Sequence, residues 1–134
     1  MTTDTTELPS DVKDCITACW DCRAHIQNVF FTHCLEKGGD HVSPEHVKLM
    51  VDCMEICQTA ADFMTRNSIV YASVCAACAE VCYHCADSCE DIDDEVMIAC
   101  AQLCRECAEM CDDLSLSSVI DSSGKSIESN ITMI

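Results

Sequence analysis

The sequence predicts an all-α protein, an antiparallel up-down-up-down four-helix bundle with a cysteine-lined core. Three observations carry this expectation. Only 3 Gly and 2 Pro interrupt 134 residues, so long stretches run without a turn-forming cluster. Cysteines recur at steps of three and four residues, the repeat of a single helix face. The periodic segments are of similar length and joined by short connections, which favours antiparallel neighbours. With 49% hydrophobic residues in 134, the chain has the size and apolar content of one domain.

The first helix is expected over about residues 11–37: Leu8-Pro9-Ser10-Asp11 reads as its start, with Ser10 as the cap, and Gly38-Gly39 as its stop. Ser43-Pro44-Glu45 places a capping hydroxyl before a first-turn proline and opens a second helix over 44–66. Asn67 and Ser68 form a tight turn into a third, 68–90. Asp91-Ile92-Asp93-Asp94-Glu95 then supplies a cap and an acidic first turn for a fourth, 94–114. Residues 1–114 thus make the bundle. The remaining 115–134 form a tail with seven Ser, one Gly and no Cys, either unstructured or packed on the bundle through Val119, Ile120, Ile127 and Ile131.

Fifteen cysteines in 134 residues, about 11%, would suggest a disulfide framework in a secreted chain. The N-terminal stretch Met1-Thr-Thr-Asp-Thr-Thr-Glu7 has neither a basic nor an apolar signal region, and no apolar run approaches the roughly 18 residues needed to cross a membrane. A cytoplasmic location is therefore expected, where cysteines stay thiols and a dense set binds metal or does redox chemistry. The formal charge of −17 disfavours nucleic acid and anionic lipid as partners, while cations are attracted. No serine–histidine–acid set or phosphate loop is recognisable, so no catalysis is expected.

The cysteines define the interior. The third helix carries Cys75, Cys78, Cys82, Cys85 and Cys89; the fourth carries Cys100, Cys104, Cys107 and Cys111. The first carries Cys15, Cys19 and Cys22, the second Cys53 and Cys57, and Cys34 stands apart from these groups. Residues spaced by three and four form the seam that faces the centre of a bundle, so the thiols should point inward in layers. Cysteine also serves as a small buried hydrophobe, but an apolar seam alone would pack better with Leu or Ile.

Spacing and charge narrow the metal. Four-cysteine zinc sites would use fifteen cysteines for at most about three ions and leave each site near −2, a costly charge to bury. Replacing each thiol proton by one Cu(I), with thiolates shared between ions, keeps the core close to neutral, and soft thiolates select Cu(I). The expected cargo is therefore multiple Cu(I) ions per chain. The alternatives are an iron–sulfur protein, for which the ferredoxin loop run with its proline is missing, a thiol redox protein using pairs such as Cys19-Trp-Asp-Cys22 or Cys104-Arg-Glu-Cys107, and sequestration of zinc or another soft metal.

In such a bundle one pole collects His33, Cys34, His41, His46, Met50, Cys89, Met97 and Cys100. Imidazole and thioether both suit Cu(I), so His33, His46 and Met50 join the fifteen cysteines as candidate ligands, and this pole is the expected way in. His25 and His84 fall off the seam and read as surface residues.

The runs Cys75-Ala-Ala-Cys-Ala-Glu-Val-Cys-Tyr-His-Cys-Ala-Asp-Ser-Cys89 and Cys100-Ala-Gln-Leu-Cys-Arg-Glu-Cys-Ala-Glu-Met-Cys111 resemble the bacterial copper storage proteins, cysteine-rich four-helix bundles. The resemblance covers roughly residues 11–114. It implies a bundle folded before metal arrives, Cu(I) held along its axis by cysteine, a homotetramer, and storage or detoxification in the cytosol. The departures are Ile26 and Val29 or Phe30 where the first helix would offer ligands, and the Ser-rich tail.

Overall fold

Proline fixes its own φ and lacks an N–H, which suits it to the edge of a helix. Pro9 takes that place here, with φ −58° and ψ 152°, and its carbonyl accepts the first helical bonds from the N–H groups of Val12 and Lys13. The computed structural model describes residues 8–123, with side chains through Leu116. Helix α1 (Ser10–Asn28) thus begins at Ser10 itself, and the cap expected from the Ser10 hydroxyl is not made. It runs on without a break through a π-helical stretch (Val29–Cys34) and a last α turn (Leu35–Lys37). Gly38 and Gly39, at φ +68° and +58°, then turn the chain in a conformation that disfavours a Cβ, and a 3₁₀ turn (Gly39–Val42) leads back.

Pro44 opens α2 (Pro44–Thr65); Ser43 holds the capping position with extended backbone, but its hydroxyl bonds nothing there. Asn67 ends the turn after α2 at φ +55°. A second turn comes next, in which Ser68 accepts from the N–H groups of Val70 and Tyr71, so α3 (Tyr71–Glu90) starts later than the 68 expected. Helix α4 (Glu95–Ser123) is capped by Asp94, whose Oδ1 accepts from the Met97 N–H at 2.8 Å, as the acidic turn predicted. It does not stop near Leu114. Ser115 is buried and the helix continues to Ser123, so the first part of the expected tail is helical; residues 124–134, with Ile127 and Ile131, lie outside the described residues, as do the side chains of Val119 and Ile120.

The four helices close a ring: α1 packs on α2 and α4, and α3 on α2 and α4. Cross-helix pairs run in opposite sequence directions, Cys15 and Cys19 meeting Cys111 while Cys22 meets Cys104, and Cys78 meeting Cys57 while Cys89 meets Met50. Neighbours are therefore antiparallel, in the up-down-up-down order predicted. Buried alanines, Ala60, Ala61, Ala79, Ala86, Ala101 and Ala108, flank the sulfur seams and let the helices approach closely. One end of the interior is plugged by Val12, Met64 and Leu114, with Leu8 and Tyr71 packed against the core there. The opposite end carries the histidines. No helix of the described residues is long and apolar enough to cross a membrane.

Candidate metal centre

All fifteen cysteines are buried, none more than 1% exposed, and all are free. Their sulfurs approach to 3.6 Å between Cys15 and Cys111, Cys19 and Cys111, and Cys57 and Cys82, and to 3.7 Å between Cys53 and Cys82. Disulfides need about 2.05 Å, so these are stacked thiols. Three sulfurs around one ion at a bond length of about 2.3 Å lie about 4 Å apart, and two on a linear ion about 4.6 Å. The thiol spacings are already close to the first value, and modest side-chain motion reaches the second.

The sulfurs gather into four groups in which every Sγ lies within 4.8 Å of the others: Cys15, Cys75 and Cys111; Cys19, Cys78, Cys107 and Cys111; Cys22, Cys57, Cys82 and Cys107; and Cys22, Cys53 and Cys104. Consecutive groups share a member, Cys111, Cys107 and Cys22 in turn. The third group takes one cysteine from each helix. This is a continuous column of overlapping sites.

Above the column, toward the histidine end, the donors change from thiols alone to thiols with thioether and imidazole. Met50 is fully buried, and its Sδ accepts from both Cys85 and Cys89 at 3.7 Å. Cys34 donates to the Met97 Sδ at 3.8 Å and lies 4.0 Å from Nε2 of His46. The other ring nitrogen of His46 is 2.8 Å from the Ser88 hydroxyl, which fixes the ring. Burial, then the nearby His41, lowers the pKa of His46 and favours the neutral imidazole. Burial, with the charges of Cys100 and Asp94, pushes the Cys34 thiol up to about 11. A surface cleft of ≈ 410 Å³ touches His46 from outside, with Asp40, Glu45, Asp87 and Asp91 on its walls.

Cys34 stands alone in the sequence because ordinary helical steps from Cys22 through Ile26 do not reach it. A π-helical turn takes in an extra residue and rotates the rest of the helix about its axis. The Val29–Cys34 stretch does so here: Val29 and Phe30 are both buried, and Cys34 returns to the interior fully buried. The run of four-residue steps Cys22, Ile26, Phe30, Cys34 is the sequence signal of this wider turn.

The family profile described as "Copper storage protein" matches residues 8–116. The chain belongs to the copper storage protein family. A crystal structure of a Nitrosospira multiformis protein is 43% identical, covers 80% of this chain and 96% of its own, and superposes with a TM-score of 0.76. The Cu(I)-bound copper storage protein BsCsp3 is 33% identical, over 78% of this chain and 98% of its own, with a TM-score of 0.73. Apo copper storage protein 3 of Bacillus subtilis is 36% identical, over 77% and 97%, with a TM-score of 0.69. An uncharacterized cysteine-rich protein of Bacillus subtilis, YhjQ, is 36% identical over 81 residues, 60% of this chain and 74% of that one.

Of the ligand candidates in this copper storage protein, the fifteen cysteines, His46 and Met50 face the column or its histidine end. His33 does not. Its Nε2 is 3.0 Å from Oδ2 of Asp94, beside His41, on the outer side of that end. In the sequence Asp94 reads only as part of the cap and acidic first turn of the fourth helix, because nothing in its spacing shows that a loop folds two histidines over it. His84 is exposed as expected, but His25 is half-buried, and its Nε2 is buried with no hydrogen-bond partner among the described residues.

Proposed function

We propose that this chain stores Cu(I) in bulk, several ions per molecule, without catalysis, on the column of shared thiols inside a bundle that is folded before the metal arrives. The sharing of Cys22, Cys107 and Cys111 between adjacent groups carries this reading. Discrete zinc or iron–sulfur sites use separate ligand sets, whereas bridging thiolates let the number of ions approach the number of sulfurs. Each entering Cu(I) replaces one thiol proton, so the dry interior stays near neutral. The ligands are the fifteen cysteines, with His46 and Met50 at the open end.

Anaerobic titration of the reduced protein with Cu(I), followed in the ultraviolet thiolate charge-transfer band, is expected to saturate at on the order of ten or more ions per chain with unchanged helicity. An end point of three or fewer would replace storage by discrete sites.

The acidic cleft over His46 supports access from this end. A cation is drawn to it, meets the neutral imidazole, and passes to Cys34 and Met97 and then to Met50 with Cys85 and Cys89. Replacing His46 and Met50 together is expected to slow Cu(I) uptake at least tenfold in stopped-flow mixing while most of the capacity remains; an unaltered rate would place the way in elsewhere. A cytosolic homotetramer is the further expectation that the family resemblance carries. Exposed Trp20, Phe31, Val96 and Ile98 offer apolar surface for such an assembly.

A further inference from the structure

Outside the sulfur column, three hard or borderline donors converge on one point. Nε2 of His41 is 2.7 Å and Nε2 of His33 is 3.0 Å from the same oxygen, Oδ2 of Asp94, and the three ligand atoms lie within 4.8 Å of one another. The two rings stand edge to face with centroids 5.2 Å apart. Each donor comes from a different element and is separately fixed. His33 sits in the π-helical stretch, His41 comes after the left-handed Gly38-Gly39 turn, and Asp94 is held by the Met97 N–H on its other oxygen. Against partial desolvation, hydrogen bonds from His33, the Met97 N–H and His41 hold the Asp94 carboxyl below the usual carboxylate range, so it is an anion at neutral pH.

We propose that His33, His41 and Asp94 form a second metal site, separate from the Cu(I) column, for a divalent cation of the zinc class. Two imidazoles and one carboxylate are borderline-to-hard ligands, which suit a dication and give Cu(I) little advantage. Around a tetrahedral ion with bonds of about 2.05 Å the donors lie about 3.3 Å apart, so the two histidine–aspartate distances each lengthen by only a few tenths of an ångström to admit it. Both rings bind through Nε2, and each moves its proton to Nδ1. Side-chain exposures of 20% for His33, 14% for His41 and 25% for Asp94 leave the fourth position facing water, so an ion has a path in and an open coordination place. A dication here would tie the end of the first helix, the loop after it and the start of α4 together at the rim of the sulfur column.

The test uses the whole chain under anaerobic conditions with Zn(II) as probe. The protein is first filled with Cu(I) to its own measured end point, so that thiols no longer compete, and zinc is then added and counted after gel filtration. The His ring nitrogens are followed by ¹H–¹⁵N correlation in the filled and in the metal-free protein. One zinc per chain is expected, with the His33 and His41 Nε2 signals moving together; Asp94→Asn and His41→Gln should each weaken retention at least tenfold, and His84→Gln should not. The proposal is overturned if no zinc is retained, if zinc is retained while both rings stay unmoved, or if the two variants hold it as well as the parent. Because the rings are also read without copper, a failure of Cu(I) storage and a failure of this site are told apart. His41→Gln, in a loop, also guards against a folding defect in Asp94→Asn.

Discussion

Reduced, metal-free protein is expected to unfold as the pH rises from about 9 to about 12, while the Cu(I)-filled protein keeps its helices through the same range. The cause lies in the buried thiols. Cys34 is pushed up to about 11 by burial and by the charges of Cys100 and Asp94. Against a hydrogen bond from Cys104, contact with Cys89 and burial raise Cys100 to about 12. Against a hydrogen bond from Cys111, contact with Cys15 and burial raise Cys75 to about 12 as well. In an unfolded chain a thiol ionises near 8.5. The folded value is the higher one, so the fold favours the protonated form. That stabilisation is complete below the unfolded value and is lost as pH climbs through the folded one. Each unit of difference corresponds to about 1.4 kcal/mol, so Cys34 and Cys100, raised by roughly 2.5 and 3.5 units, together represent on the order of 5–8 kcal/mol. Whole domains are stable by only about 5–15 kcal/mol. Filling with Cu(I) removes the protons at issue and with them the sensitivity. Far-ultraviolet circular dichroism against pH reads both states. A metal-free protein that stays helical at about pH 12, or a filled one that unfolds with it, would mean that the thiols do not govern stability.

The second large effect is thermal. A ligand that binds only the folded state stabilises it by about 2.7 kcal/mol for each independent site at a free concentration of 100 times its dissociation constant. Thiolates shared along one column multiply this over many ions, and a gain of 1 kcal/mol moves the midpoint of a chain this size by several degrees. Cu(I) filling is therefore expected to raise the melting midpoint by tens of degrees, and a Cu(I) chelator given time to empty the column should restore the original value. A rise of only a few degrees would indicate a handful of ions, or ions on the surface. Both experiments need strict exclusion of air, since free thiols oxidise.

The seams of α3 and α4 were legible at once, because cysteine at steps of three and four has one geometric meaning on a helix. All nine of their cysteines, Cys75 to Cys89 and Cys100 to Cys111, are interior. Turn chemistry located Gly38-Gly39, Pro44 and the Asp94 cap. It misplaced the cap of α1, where Pro9 acts instead of Ser10, and the start of α3, since Asn67 alone does not show that Ser68–Val70 form a further turn. The length of α4 was hidden by composition: serine at 115, 117 and 118 is a poor interior helix residue, yet a helix that already runs from Glu95 to Leu114 extends at little cost. The open end was half legible. His46 and Met50 share the α2 seam with Cys53 and Cys57 and so obey the same rule as the cysteines. Cys34 and His33 could not be assigned by that rule, because the π-helical stretch rotates them by about one residue, sending the thiol inward and the imidazole out to Asp94.

Val12, Met64 and Leu114 seal one end of the column, and the donors at the other end form its approach. With entry at the histidine end, as proposed, the column would fill as a blind tube, in order of arrival. The ions deposited earliest would then sit deepest, against the apolar plug, and leave last, so the column would empty as a stack rather than a pool, its outer fraction exchanging first and its deep fraction held as a reserve.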